Sequence, residues 1–338
     1  MKSILFSILF VLIPKICLSQ DITANDDAVY LDSIFNMGTE KNYKYIRVVK
    51  DYKNANQKSY EVKDFYKSGK IAMSGTTSKR DKIIKTGTFV YYYENGNIKQ
   101  ESYYVDNKLS GKQIDWYENN IKKSEKEIVW DSKTEDYNTK TLQFWNKEGQ
   151  QTAIDGNGQF EDSDDKVYEK GELKNGVKQG IWEGKNLKEK FSFTEIYNEG
   201  KFISGVSTDE NNTKYPYKEL ITKPTPAKGM SDFYSHIGKN YKTPDVQGLK
   251  GKIYTTFVID TDGSITNIRV LRDVGYGSGK EAIRVIASYG KWIPGKMRGI
   301  NTKATYSIPL NIQTSNSNHQ NQGPTFESEM ARNTNRNW

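Results

Sequence analysis

Hydrophobic and polar residues follow two different rhythms along this chain. Between Ser59 and Gly205, short aromatic and β-branched runs end in Asn-Gly or a similar pair, and another extended run follows. The phrase from Tyr92 to Gly96 returns at Trp116 to Asn120. Asn-Gly tolerates positive φ at both positions of a two-residue turn, so each phrase predicts one hairpin, with Asn95-Gly96 as a turn. Such a hairpin is too small to bury its aromatic face alone, and the pattern therefore predicts stacked antiparallel hairpins.

The second rhythm begins after residue 228 and alternates helical and extended periods. β-Branched and aromatic runs flank an Asp-Gly turn signal at Asp262-Gly263, and two amphipathic segments surround this hairpin. The predicted order is α, β, β, α, β, in the segments 231–237, 252–260, 265–271, 280–287 and 302–313.

Caps and a core follow from the same pattern. Ser231 or Asp232 is the predicted cap of the first helix, and Ser278, with Glu281 three residues on, is the predicted cap of the second. Spacings of three and four residues place one apolar helix face at Ile283, Ile286 and Ala287. The predicted core consists of Phe257, Ile259, Val270, Ile283, Ile286, Trp292 and Ile308.

The C-terminal pattern resembles the TonB C-terminal domain. The segment that carries the resemblance runs from "GKIYTTFVIDTDGSITNIRV" through "EAIRVI" and "KWIPG" to "TKATYSIPLNI", and the similar region is residues 229–313. Proteins of that family join energised inner-membrane proteins to outer-membrane receptors by capturing a short receptor peptide. The resemblance therefore implies a protein or peptide partner, such as an outer-membrane TonB-dependent receptor.

The hairpin region resembles MORN-type repeats, in the variant of the YwqK-like antitoxin-repeat family. The segments that carry this resemblance are "FYKSGKIAMSG", "YYENGNIKQESYYVDNKLSG" and "YEKGELKNGVKQGIWEG". It implies a meander of hairpins that serves as a scaffold or a contact surface. The fold class is therefore mainly β: a hairpin-repeat domain followed by a small α+β domain.

The N-terminus reads as a secretory signal peptide with cleavage after Ser19. Lys2 provides the positive charge, and the apolar run of Ile4 to Pro14 is too short for the roughly 20 residues of a spanning helix. An uncleaved inner-membrane anchor is the alternative, and a lipid anchor at Cys17, the single cysteine, is disfavoured. The predicted divisions are a signal (1–19), an N-terminal segment (20–58), repeats (59–212), a proline-containing linker (213–228) that interrupts any ladder, the TonB-like domain (229–313) and a disordered tail (314–338).

Charge adds an expectation about partners. The formal net charge is +8, and residues 229–313 hold twelve Lys or Arg against six Asp or Glu. This basic domain favours an acidic partner. The aromatic residues lie mostly elsewhere, so the basic stripe with interleaved aromatics that nucleic-acid binding would need is missing.

Motifs for catalysis and cofactors do not meet their requirements. The loop at Asp260 to Ser264 has Leu271 where an EF-hand needs Glu, and it reads as a hairpin turn. The glycines of 275–281 fall out of register for a P-loop and read as a loop that needs glycine torsions. The acidic run 161–165 reads as a solvated loop tip. We expect no enzyme activity, no cofactor and no metal site.

The sequence supports three hypotheses. The first is an exported periplasmic binding protein of a Gram-negative envelope, without nucleic acid or a stable membrane span. The second is an anchored TonB-type transducer, which an N-terminus that starts at Gln20 would exclude. The third, a hydrolase of envelope polymers, lacks paired catalytic carboxylates. In the first, the last strand is an edge that binds an extended peptide or pairs with a second copy as a homodimer. The predicted binding residues are Lys303, Ala304, Thr305, Tyr306 and Ser307, with Arg298 for electrostatic steering.

Overall fold

The structure, a computed structural model, describes residues 22–314. It is mainly β, with a long antiparallel hairpin sheet and a small C-terminal α+β domain, which confirms the predicted fold class. The chain forms two compact units, one reaching to residue 182 and the other containing most of the chain from residue 183 onward. Neither helix in the described range is long and apolar enough to cross a membrane. The predicted signal peptide and the tail from residue 315 lie outside the described residues.

The first unit contains twelve strands that pair in chain order, each antiparallel to the next. They are β1 (Asp27–Leu31), β2 (Tyr45–Val49), β3 (Tyr60–Tyr66), β4 (Ile71–Thr77), β5 (Lys85–Tyr92), β6 (Ile98–Val105), β7 (Lys108–Trp116), β8 (Lys122–Asp131), β9 (Asp136–Trp145), β10 (Gln151–Ile154), β11 (Asn157–Ser163) and β12 (Val167–Lys174). β13 (Val177–Asn186) follows them.

The loop at Asn95-Gly96 is longer than the predicted two-residue turn. Gly96 N–H donates to the Tyr93 carbonyl, and Tyr93 N–H donates to the Asn97 carbonyl. Of Asn95 and Gly96, only Gly96 has positive φ. The loop therefore has three residues, and Gly96, the last of them, is the left-handed one. The same hydrogen-bond pair closes the loops 32–36, 66–70, 117–121, 146–150, 209–213 and 260–264. Two-residue turns with positive φ at both positions do occur, at Asp106-Asn107, Asp155-Gly156, Asn175-Gly176 and Glu199-Gly200.

A tyrosine at the first position of three such loops connects each loop to the next. The Tyr66 hydroxyl donates to the Tyr92 carbonyl over 2.6 Å, and the Tyr93 hydroxyl donates to the Trp116 carbonyl over 2.8 Å. The Tyr117 hydroxyl donates to the Trp145 carbonyl over 3.0 Å. Each acceptor is the residue directly before the next loop, so the repeated phrase forms a tyrosine ladder along one end of the hairpins.

Glycines and lysines both lie against aromatic rings in the first unit. A strand glycine leaves room for a ring, since a Cβ at Gly75 would lie 2.5 Å from the Phe89 ring. Lysines lie over other rings, as Lys178 Nζ does at 4.1 Å from the centre of the Trp182 ring. Lys85 Nζ lies within 5.3 Å of three ring centres, which are those of Phe89, Tyr91 and Tyr104. Lysine stems thus cover much of the aromatic surface that a single hairpin leaves open.

The second unit begins with the end of β13 and continues with β14 (Phe191–Asn198), β15 (Lys201–Thr208) and β16 (Lys214–Tyr217). The α+β domain then follows, with β17 (Ile221–Thr222), β18 (Thr225–Pro226), α1 (Met230–Asn240), β19 (Lys250–Ile259), β20 (Ile265–Arg272), α2 (Ser278–Ala287), β21 (Trp292–Ile293), β22 (Gly295–Met297), β23 (Ile300–Thr302) and β24 (Ala304–Gln313). Its three sheets have the orders β20-β19-β24, β17-β22-β23 and β18-β21.

Both helices pack against the main sheet of this domain and enclose one apolar core. Phe233 and Ile237 from α1 and Val285 and Ile286 from α2 are fully buried. Trp292 is 3% exposed. The predicted core is correct for Phe257, Ile259, Ile286, Trp292 and Ile308, and Val270 packs against it partly buried.

Ile283 is a wrong prediction, because its side chain is 36% exposed. The buried face of α2 is shifted by one residue to Ala282, Val285 and Ile286, which have the same spacing as the predicted set. The predicted caps are also wrong: Gly229 and Gly277 occupy the cap positions of α1 and α2 without side-chain hydrogen bonds. The reason is that α2 begins at Ser278 itself, after Gly277 in a left-handed conformation, whereas a cap residue lies outside the helix.

Two loop predictions also need correction. Residues 213–228 do form ladders: β16 pairs with β15 and includes Pro216, while β17 and β18 pair with β22 and β21. The prolines are tolerated because these strands are short and lie at sheet edges. The acidic run 161–165 is only partly a loop, since Glu161, Asp162 and Ser163 belong to β11. The turn at Asp260 to Ser264 and the positive φ angles of Gly275 and Gly277 are as predicted.

Candidate functional site

The candidate site is the outer side of β24, the last strand of the α+β domain. β24 pairs with β19 along its whole length, from Ala304 opposite Ile259 to Gln313 opposite Lys250. The sheet order β20-β19-β24 puts β24 at an edge, and no other strand among residues 22–314 pairs with its outer side. This position provides the geometry that strand addition requires.

Three observations show which backbone groups of β24 face the free side. The Ile308 carbonyl accepts a hydrogen bond from the Thr255 hydroxyl of β19, and Thr314 N–H donates to the Leu249 carbonyl just before β19. The even-numbered residues therefore turn their backbone groups toward β19. Pro309 has no N–H, and it takes an odd position, where β19 needs no donor. Because backbone direction alternates along an uninterrupted antiparallel ladder, Thr305 and Ser307 direct their N–H and C=O groups outward.

The five predicted edge residues fall into three groups. Thr305 and Ser307 have outward backbone groups and exposed side chains. Ala304 and Tyr306 bond to β19 instead; Ala304 is buried, and the Tyr306 ring lies 5.0 Å from the Trp292 ring. Burial raises the pKa of Tyr306. Lys303 precedes the strand.

Lys303 is the more exposed of the two predicted charges. Its Nζ lies 3.1 Å from the Asp260 carboxylate, and the Lys303 side chain is 66% exposed. A backbone hydrogen bond from Thr261, followed by the contact with Lys303, holds the pKa of Asp260 below its ordinary value. Lys303 can thus attract an acidic ligand only weakly, because an exposed pair of this kind is screened.

Arg298 lies in a different environment from the one that a steering residue needs. Arg298 and Gly299 form a two-residue turn with positive φ between β22 and β23. Arg298 Nε donates to Glu195 Oε1 over 2.7 Å, and its guanidinium lies 3.9 Å from the centre of the Phe193 ring. Burial disfavours its charge, but the bond to Glu195 outweighs that effect and raises the pKa of Arg298. The Arg298 side chain is 17% exposed, so its charge neutralises Glu195 and is hardly available to attract a ligand.

Sequence reasoning missed Glu195, which is fully buried in β14. Besides Arg298, it accepts hydrogen bonds from the hydroxyls of Tyr217, over 2.8 Å, and Tyr197, over 2.9 Å. Burial, together with the bond to Glu195, raises the pKa of Tyr217. A signal was present: in "FSFTEIYN" the apolar alternation places Glu195 at an inward position. The partner Arg298, far away in sequence, could not be found in this way.

Comparisons with known proteins bear on this domain alone. Among residues 22–314 there is no group of three or more His, Cys, Asp or Glu side chains that could hold a metal ion. No curated protein sequence matches the chain. Residues 245–312 match the family model described as Gram-negative bacterial TonB protein C-terminal. The α+β domain is therefore similar to the C-terminal domain of Gram-negative TonB proteins.

Proposed function

We propose that this protein is an exported, non-enzymatic binding protein that captures an extended peptide on the free edge of β24. One observation carries the proposal: Thr305 and Ser307 direct backbone groups away from β19, at a sheet edge, in a TonB-like domain. A peptide strand that bonds to these groups would gain affinity from its main chain and selectivity from alternate side chains.

The partner class follows from the domain family. A periplasm-facing segment of an outer-membrane receptor is the peptide that we propose, and the hairpin repeats would act as a scaffold or a second contact surface. Lys303 alone would supply the preference for acidic residues, so we expect the affinity to depend mainly on backbone pairing and only slightly on salt. In the alternative, an anchored transducer, the N-terminal segment stays uncleaved. A mature N-terminus at Gln20 would exclude this alternative.

The experiment compares two substitutions at one position. Thr305→Pro removes an outward N–H while sparing the ladder to β19, whereas Thr305→Ala removes only the side chain. Binding of fluorescein-labelled synthetic receptor segments to the full chain would be measured by anisotropy. We expect Thr305→Pro to weaken binding about tenfold, the equivalent of about 1.4 kcal/mol, and Thr305→Ala to change it little.

Two results would count against the proposal. The first is equal binding by wild type and Thr305→Pro when circular dichroism shows the same fold for both. The second is a wild-type dimer that Thr305→Pro converts to a monomer and that binds no peptide, because self-pairing would then occupy the edge. Sedimentation velocity on the same samples would measure the dimer.

A further inference from the structure

A cleft in the first unit, separate from the peptide edge, has the features of a ligand site. Its volume is about 470 Å³, within the roughly 300–1,000 Å³ of small-molecule sites. Aromatic rings make up much of its lining, and six of them are those of Tyr66, Tyr91, Tyr92, Tyr93, Trp116 and Phe160. These six side chains, like that of Tyr45 in the same lining, are half-buried and so keep part of their surface open.

The polar groups of the cleft are balanced in charge. Asp115 accepts hydrogen bonds from Gln100, Gln113 and Ser124 and forms an ion pair with Lys126 over 2.9 Å. Asp162 pairs with Lys123 over 2.6 Å. The third lining carboxylate, Asp64, is held by Arg47 through two bonds of 2.7 Å. The lining thus has no net charge that would select an anion or a cation.

Two groups of the cleft have hydrogen-bonding capacity to spare. Asp162 Oδ1 is buried and has no hydrogen-bond partner in the part of the chain that the structure describes. The exposed Lys99 has its Nζ 5.6 Å from the centre of the Tyr93 ring, on the rim of the cleft. A buried acceptor without a donor costs free energy, and a ligand hydroxyl would remove that cost.

We propose that this cleft binds a neutral oligosaccharide. Sugar rings carry C–H groups of partial positive charge, which the negative faces of aromatic rings attract. Their hydroxyl groups would donate to Asp162 Oδ1 and accept from Lys99. An extended peptide fits less well, because the cleft lies on the face of paired strands and offers no free strand edge for backbone pairing.

The test uses chitotetraose and cellotetraose, which differ in their N-acetyl groups, as probes for the full chain. Isothermal titration calorimetry would measure wild type, Trp116→Ala, Lys99→Ala and the matched control Trp130→Ala. Trp130 packs at 4.8 Å from Tyr137, outside the cleft lining. We expect saturable binding of at least one probe, little affected by salt, with an affinity loss of about tenfold or more in Trp116→Ala and a smaller loss in Lys99→Ala. Trp130→Ala should bind like wild type.

Three outcomes would overturn this inference. The first is no saturable binding of either probe, and the second is wild-type affinity for the probe in both Trp116→Ala and Lys99→Ala. The third is a cleft that binds an extended peptide and neither oligosaccharide. Lys99 is exposed, so its variant keeps the test valid if Trp116→Ala fails to fold. The peptide edge on β24 is tested with other ligands and variants, and failure of either proposal therefore leaves the other standing.

Discussion

Arg298, a charged residue in a turn, stabilises the second unit through a largely buried ion pair. Its turn directs the guanidinium to a carboxylate that is fully buried, and the Arg298 carbonyl accepts a hydrogen bond from Ser207 over 2.8 Å. Its charge and its turn residues can be read from the sequence, but its partner cannot, because Glu195 lies 103 residues away. Arg298 thus helps to attach β22 and β23 to β14 and β15 within the second unit.

This role predicts the effect of removing Arg298. Arg298→Ala leaves Glu195 buried without its cation, and we expect a loss of about 3–5 kcal/mol in the free energy of unfolding. Lys303→Ala is the matched control, since its pair with Asp260 is exposed and should contribute less than about 1 kcal/mol. Urea melts would measure both variants. Equal, small losses would contradict the role given to Arg298.

Asp115 predicts an acid-sensitive part of the stability. Burial alone would raise its pKa, but Lys126, Ser124 and Gln100 together hold the pKa of Asp115 below its ordinary value of 3.8. A lowered pKa in the folded state means stability that is fully present above the ordinary value and is lost as the pH falls toward the folded-state value. We expect Asp115→Asn to lose less stability than wild type between pH 5 and about 3 in urea melts. Parallel pH profiles would exclude this contribution.

At the scale of elements, the loop tyrosines explain what the repeated phrase contributes. Each hydroxyl satisfies a carbonyl in the next hairpin, so the ladder fixes the spacing of neighbouring loops. Tyr93→Phe leaves the Trp116 carbonyl without this donor, and we expect thermal melts to show a loss of about 1 kcal/mol in the free energy of unfolding. Tyr103→Phe is the control: the Tyr103 ring is 48% exposed, and its variant should melt almost like wild type. A loss as large at Tyr103 as at Tyr93 would argue against the ladder.

Elements were predictable to different degrees, for physical reasons. The strand and helix order after residue 228 came from alternation and spacing, which burial imposes directly on sequence. The turn at Asn95-Gly96 was predicted one residue too short. A glycine suits both a two-residue turn with two positive φ angles and a three-residue turn with one, so Asn-Gly alone does not distinguish them. The face of α2 was shifted because Ile283 and Ala282 are both apolar, and only packing decides which of them is buried.

At the scale of the whole molecule, the two units carry different kinds of surface. The first offers an aromatic cleft without net charge on paired strands, and the second offers a strand edge. The edge was predicted from the TonB-like pattern, and among residues 22–314 no strand pairs with the outer side of β24. The cleft was not, because its lining comes from many hairpins and its carboxylate Asp162 lies in a run that reads as a loop.

The most direct measurement of peptide capture is amide hydrogen exchange along β24, with and without the peptide. We expect the Thr305 and Ser307 amides to exchange quickly in the free protein and to become protected when peptide binds, whereas the Tyr306 and Ile308 amides, bonded to β19, are slow in both states. Peptide binding that leaves the Thr305 and Ser307 amides unprotected would contradict capture at this edge, as would full protection of both amides in the free protein.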